Sequence, residues 1–136
     1  MIQHYLGKIS GPLLDRIDIH IEVPAVPYKE LRGNDRSESS AEIRARVERA
    51  RGVQRARGFY NAQLPSRLIR KLCGLDETGE RTLEMAVRRM GLSARAHDRI
   101  LKVARTIADL GESETIRAKH VAEAVQYRSL DRNYWN

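Results

Sequence analysis

Aromatic side chains and cysteine are scarce in this sequence. Phenylalanine, tryptophan and tyrosine make up only 5% of its 136 residues, while apolar residues as a whole reach 41%. A chain of this size can bury a core, but mainly with aliphatic side chains, which favours packed helices. The single cysteine, Cys73, excludes an internal disulfide, and we expect a reducing, cytoplasmic location. Its apolar neighbours predict a buried thiol rather than a catalytic one.

Complete nucleotide-binding and metal-binding motifs are also missing. Gly74 and Gly79 have the separation of a P-loop, but Glu80 and Arg81 stand where lysine and a hydroxyl residue would be needed. The four histidines are scattered singly, and no pair has the spacing of metal ligands, so we predict no metal site. We expect neither a signal peptide nor contact with a membrane, since no run is long and apolar enough.

A serine, a histidine and an aspartate lie close together in the sequence, at Ser93, His97 and Asp98. They fall on or beside one predicted helix, and the Ser93 hydroxyl fits the role of a helix cap better than that of a nucleophile. We therefore expect no hydrolase chemistry from this set.

The clearest strand pattern lies near the beginning of the chain. Residues Ile17 to Val23 alternate strictly between β-branched and polar side chains, and Pro24 and Pro27 close the run. No other segment predicts a partner for this strand, and a lone strand leaves its backbone groups without a ladder. Three explanations stay open: weak order, pairing with another copy, or a sheet that lies outside this chain.

The remainder of the chain has the pattern of a helical bundle. Ser39 and Glu42 have capping-box spacing, and Asp76 and Ser93 are further candidate caps. The apolar residues that we predict to face inward are Ile43, Val47, Ala50 and Val53, then Leu83, Ala86, Val87 and Met90, then Ile100, Val103, Ala104, Ile107 and Ala108, and finally Val121, Ala124 and Val125. The predicted fold class is therefore mainly α, with about five helices joined by short connections.

Three regions follow from these patterns. Residues 1–30 form a short stub with one β-strand, residues 31–38 form a polar linker, and residues 39–136 form the helical domain.

Positive charge is the strongest compositional bias. The net charge is +7, and arginines crowd the first predicted helix of the bundle. Arg44, Arg51 and Arg55 are our candidates for contact with a DNA backbone, which requires only positive charge at the surface. The same arginines could instead bind acidic faces of neighbouring subunits or form a solvated face. Phe59 and Tyr60 lie at the end of the helix rather than along it, so base stacking is not indicated.

One segment carries a specific motif, the run Ile-Ser-Gly-Pro-Leu-Leu-Asp-Arg-Ile-Asp at residues 9–18. Together with Gly-Leu-Ser-Ala-Arg-Ala at 91–96 and Ile-Arg-Ala-Lys-His-Val-Ala-Glu-Ala at 116–124, it resembles the bacterial magnesium-chelatase-like AAA+ ATPases, including their competence-associated branch. The resemblance covers nearly the whole chain. It implies the trailing edge of an ATPase core followed by the C-terminal helical lid.

The resemblance also implies roles for two arginines. Arg16 would be the arginine finger that reaches the γ-phosphate held by a neighbouring copy in a homo-oligomeric ring. Arg95 would be the sensor-2 arginine that contacts the nucleotide phosphates. In this family the P-loop lies upstream, so ATP and Mg²⁺ belong to the intact parent protein. We expect this chain alone to hold no cofactor and to hydrolyse no ATP.

Each of these arginines also has a purely structural alternative. Arg16 could pair with Asp15 or Asp18, and Arg95 could pair with Asp98 or Asp109. Spacing alone does not decide between these ion pairs and a role at a phosphate.

Three functions remain open at this stage. The first is a lid that couples ATP hydrolysis to remodelling, with DNA in competence or recombination as a possible substrate. The second is a small basic module that binds DNA or protein and has no connection with ATP. The third is a magnesium chelatase subunit, for which the chain offers no metal or porphyrin ligands of its own.

Overall fold

The computed structural model describes residues 11–29 and 37–128. The helices are α1 (Gly11–Arg16), α2 (Ser40–Arg57), α3 (Ser66–Leu72), α4 (Glu77–Met90), α5 (Ala94–Leu110) and α6 (Ala118–Gln126), with a 3₁₀ turn at Asn61–Gln63. The β structure in these ranges is a single parallel bridge between Leu75 and Ile116. The mainly helical fold is therefore confirmed, with five α-helices from Ser40 onward in the described ranges. Residues 31–36, which are most of the predicted linker, and the tail from residue 129 lie outside these ranges.

The predicted strand at 17–23 is wrong for the chain by itself. Within the described part, these residues have no regular secondary structure, and the motif before them forms helix α1. Ile19, Ile21 and Val23 remain exposed, at 46%, 62% and 83%. An alternating pattern produces a strand only where a neighbouring edge supplies a ladder of hydrogen bonds. Here the described bundle offers single contacts, such as that from His20 N–H to the carbonyl of Tyr127 at 2.6 Å.

The helix ends of the bundle follow local sequence closely. Glu42 N–H donates to Ser39 Oγ at 3.1 Å, and Ser39 N–H donates to the Glu42 carboxylate at 3.2 Å, which confirms the capping box. The Asp76 carboxylate caps α4, and the Ser93 hydroxyl caps α5. Gly58 ends α2 with a φ of 103°, a conformation that glycine adopts without steric cost.

Helix α5 lies at the centre of the core. Ala96, Ile100, Ala104 and Ala108 recur every four residues along it and are fully buried. This stripe packs against α6 and α2, and Leu83 from α4 joins the same cluster. Cys73 is buried as predicted, and burial raises the pKa of its thiol to about 11, so the thiol stays protonated at neutral pH.

Three of the residues predicted to face inward from α2 do not. Ile43, Val47 and Val53 are 43%, 40% and 46% exposed, and no residue from 37 to 49 is buried. Ala50 and Gln54 are the buried positions of this helix. At 18 residues α2 is about 27 Å long. Its second half provides both buried positions, so the first half extends past the core.

Candidate functional site

Arg16 is the last residue of α1, and its side chain is exposed. The backbone around it is held firmly. Leu14 is buried at 2% exposure, and its carbonyl accepts hydrogen bonds from Ile17 N–H at 3.1 Å and from the His20 ring at 3.2 Å. The chain thus presents an exposed guanidinium on a turn that these contacts hold in place.

Three contacts attach this turn to the bundle. The Arg128 guanidinium, almost fully buried at the end of α6, donates to the Ile17 carbonyl. His20 N–H donates to the Tyr127 carbonyl, as described above. The Asp18 carboxylate accepts from Arg99 on α5 at 2.6 Å. None of these contacts was predicted, since they join residues that are far apart in the sequence.

Arg95 is the second residue of α5, directly after the Ser93 cap, and it is exposed. The first turn of a helix carries partial positive charge and unpaired backbone N–H groups, which suits an anionic ligand near Arg95. Arg99 follows one turn later on the same face of the helix. Because Arg99 binds Asp18, the structure connects the helix of Arg95 to the turn that follows Arg16.

Three of the four carboxylates that could have paired with these two arginines contact other residues. Asp18 pairs with Arg99, Asp98 lies 3.3 Å from the His97 ring, and buried Asp109 binds Arg57 and Arg105. Among the residues that the structure describes, none forms an ion pair with Arg16 or Arg95; the Asp15 side chain lies outside that description. The purely structural alternatives for both arginines therefore lose Asp18, Asp98 and Asp109.

The arginines of α2 divide into two groups. Arg46 pairs with Glu38, Arg49 with Glu112 at 3.2 Å, and Arg57 with Asp109. Arg44, Arg51 and Arg55 are exposed and form no direct ion pair in ranges 11–29 and 37–128, although Glu48 lies between them on the helix and acts on Arg55 electrostatically. Their spacing of seven and four residues places them on one face of the helix. We call these three residues the arginine face.

Tyr60 folds back onto the arginine face. The Arg51 guanidinium lies 4.4 Å from the centre of the Tyr60 ring, and Arg55 donates to the Tyr60 hydroxyl at 3.4 Å. Hydrogen bonds from Arg55 and then Arg51 lower the pKa of that hydroxyl. An aromatic ring therefore accompanies these arginines, although it follows the helix in sequence.

A buried polar network fixes the other end of α5. The Asp109 carboxylate accepts from Arg57 at 3.0 Å, from Asn61 at 2.9 Å and from Arg105 at 3.2 Å. Arg105 also donates to the backbone carbonyl of Ser113 at 2.8 Å. The network joins α2, the 3₁₀ turn and the loop after α5. The sequence offered one signal for it, namely charged residues four apart on an otherwise apolar helix face.

Other kinds of site find no support in the described residues. No group of three His, Cys, Asp or Glu side chains in that part of the chain could hold a metal ion. The Ser93 hydroxyl accepts from Ala96 N–H at 3.1 Å, as a helix cap does. His120 is buried and accepts from Arg117 N–H at 2.9 Å, and burial lowers the pKa of its ring. No helix in the described ranges combines the length and apolarity needed to cross a membrane.

Comparison with known proteins gives two family matches. The model described as magnesium chelatase, subunit ChlI C-terminal, matches residues 37–128, and the model described as magnesium chelatase, subunit ChlI, matches residues 1–31.

Curated relatives agree with these matches. The chain is 46% identical over 133 residues to the competence protein ComM of Haemophilus influenzae, which covers 96% of this chain and 26% of the relative. It is 44% identical over 130 residues to YifB of Salmonella typhimurium, covering 94% and 26%. It is 36% identical over 131 residues to Rv2897c of Mycobacterium tuberculosis, covering 93% and 26%. The chain thus spans about a quarter of the length of these relatives.

A family model that covers well over half of the chain and a competence protein among its relatives lead to one conclusion. The chain belongs to the magnesium chelatase subunit ChlI C-terminal family, as an AAA+-like member.

Proposed function

We propose that this chain is the nucleotide-responsive helical lid, with the trailing edge of the core, of a ring-forming AAA+ ATPase. Arg16 acts as the arginine finger on ATP held by a neighbouring copy, and Arg95 acts as the sensor-2 arginine. ATP and Mg²⁺ are held by the part of the parent protein that carries the P-loop. The cytoplasm is the proposed location.

One observation carries this proposal. Arg16 and Arg95 are both exposed, and Asp18, Asp98 and Asp109, which could have neutralised them, are paired with other residues. A guanidinium without an acidic partner is available to stabilise charge on transferring phosphoryl oxygens. The ordered turn after Arg16 and the capped start of α5 before Arg95 hold the two side chains on fixed supports.

The test is ATP hydrolysis by the full-length protein. Arg16→Ala should lower kcat by about 10³-fold with little change in ATP affinity, because the finger acts in the transition state. Arg95→Ala should weaken ATP binding as well as turnover. Arg44→Ala, which also removes one exposed arginine, is the control and should keep normal hydrolysis. If Arg16→Ala and Arg95→Ala behave like this control, the proposal is wrong.

A second function is favoured by the arginine face. Arg44, Arg51 and Arg55 lie on one side of α2, form no direct ion pair among the described residues, and are accompanied by the Tyr60 ring. Positive charge arranged along a helix suits the phosphate backbone of DNA. This surface would let the parent protein hold DNA while ATP is hydrolysed, or would serve as a binding module without any link to ATP.

Two matched double variants of the chain test DNA binding. Arg51→Gln with Arg55→Gln should weaken binding to a labelled duplex and reduce the salt dependence by about two phosphate contacts. Arg46→Gln with Arg49→Gln removes the same charge from the same helix, but from arginines already paired with Glu38 and Glu112. Equal effects of the two variants, or no binding by the unaltered chain at low salt, would end this proposal.

Insertion of magnesium into a porphyrin remains a prediction from the family description only. No described side chain of this chain adds support to it.

A further inference from the structure

The two arginines proposed to act on ATP belong to segments that contact each other. Arg95 lies on the first turn of α5, and Arg99 follows on the same face one turn later. The Arg99 guanidinium is 2.6 Å from the Asp18 carboxylate, and Asp18 is two residues beyond Arg16. Helix α1, which ends at Arg16, also packs against α5.

We propose that the Asp18–Arg99 ion pair is a positioning device that transmits movement of α5, the helix of Arg95, to the turn that presents Arg16. This inference rests on the proposed function. Asp18 and Arg99 touch no phosphate themselves. They fix the turn after Arg16 in a position that depends on α5, so that nucleotide contact at Arg95 changes where Arg16 points.

The Asp18–Arg99 pair is too exposed to have a mainly structural role, which leaves the positioning role as its main expected effect. The Arg99 and Asp18 side chains are 31% and 47% exposed, and an ion pair of this kind contributes little to folding stability. The fold of the turn is secured elsewhere, by buried Leu14 and by the buried Arg128 guanidinium on the Ile17 carbonyl. Loss of the Asp18–Arg99 pair should therefore leave the bundle folded and affect the coupling between the two arginines.

Coupling between sites of this kind is commonly large enough to measure in turnover. In the full-length protein, Asp18→Asn and Arg99→Gln should each lower kcat for ATP by about fivefold or more, while the KM for ATP stays nearly constant. The exchanged pair, Asp18→Arg with Arg99→Asp, should restore kcat to within about twofold of the unaltered protein. It recreates the ion pair with the positive and negative side chains in exchanged positions. The control is Glu84→Gln, which breaks another surface pair, that with Arg88 at 2.8 Å, and should change neither constant.

The outcomes separate this inference from the function on which it rests. If Arg16→Ala lowers kcat but Asp18→Asn does not, or if the exchanged pair fails to restore turnover, the coupling role is wrong and the arginine finger stands. If Arg16→Ala itself leaves kcat unchanged, both proposals fall. A low kcat in Asp18→Asn that is rescued by the exchanged pair supports the positioning role.

Discussion

Helices α2 and α5 are similar in length and are both rich in arginine, yet they behave in opposite ways. In α5 seven of 17 residues are buried, and three of its charged residues, Arg99, Arg105 and Asp109, form ion pairs. In α2 two of 18 residues are buried, and three arginines form no direct ion pair in the described ranges. Apolar residues at helical spacing occur in both. Such spacing therefore produces burial only where another surface covers it, and no position in the first half of α2 is buried.

Among the substitutions that test the difference between α2 and α5, Asp109→Ala should have the largest effect on folding stability. Asp109→Ala leaves Arg57 and Arg105 without their shared carboxylate in a buried position, which should lower the free energy of unfolding by about 3–5 kcal/mol. Urea denaturation of the chain measures this change. Glu84→Ala removes the acid of an exposed ion pair and should have no measurable effect. A loss at Asp109 no larger than at Glu84 would mean that the network is not formed.

Matched isoleucines test the difference in burial. Ile100→Ala on α5 should lower the free energy of unfolding by about 2–5 kcal/mol, because it leaves a cavity in the core. Ile43→Ala on α2 should change it by less than about 0.5 kcal/mol, since the side chain is already 43% exposed. Equal losses at the two positions would show that the first half of α2 packs against a surface.

A smaller effect is expected where α5 ends. Glu112 has a φ of 56°, in the left-handed region, and Ser113 N–H donates back to the Ala108 carbonyl at 2.8 Å. Glycine adopts this conformation without the clash that a side chain causes, so Glu112→Gly should raise the free energy of unfolding by about 0.5–1 kcal/mol. The lost ion pair with Arg49 is exposed and offsets little of this gain. A decrease in stability would contradict the assignment of strain to Glu112.

The smallest effect concerns acid sensitivity. Burial lowers the pKa of His120 below its usual 6.5, so the folded state favours the neutral ring that accepts from Arg117 N–H. The stability from this contact is complete above pH 6.5 and is lost as the pH falls through the lower, folded-state pKa. His120→Asn keeps an acceptor but does not titrate, and it should flatten the decline in melting temperature as the pH falls below 6.5. If the melting temperature of His120→Asn falls with pH as steeply as that of the unaltered chain, protonation of His120 does not cause the acid sensitivity.

Local features were predictable from the sequence and distant ones were not. The caps at Ser39, Asp76 and Ser93 depend on atoms three residues away, and all three are formed. The strand predicted at 17–23 depended on a partner edge that the described residues do not supply, so the alternating pattern predicted a strand that does not form here. The exposed face of α2 was missed for the same reason, because periodicity does not reveal whether a partner covers a helix.

The candidate site shows the same division. The family motif identified Arg16 and Arg95, but the environment of each could not be read from spacing. The pair of Asp18 and Arg99 joins residues 81 positions apart, and that of Arg57 and Asp109 joins residues 52 positions apart. These contacts occupy two of the alternative partners of the two arginines, Asp18 and Asp109, and the second also pairs one arginine of α2 outside the arginine face.

Mixing two inactive forms of the full-length protein tests directly whether Arg16 acts on ATP that is bound to another copy. One form carries Arg16→Ala, and the other has its P-loop lysine replaced but keeps Arg16. When the two are co-assembled, part of the ATP turnover should be recovered, because intact ATP sites of the first form receive Arg16 from the second. Mixed assemblies as inactive as either form alone would contradict it.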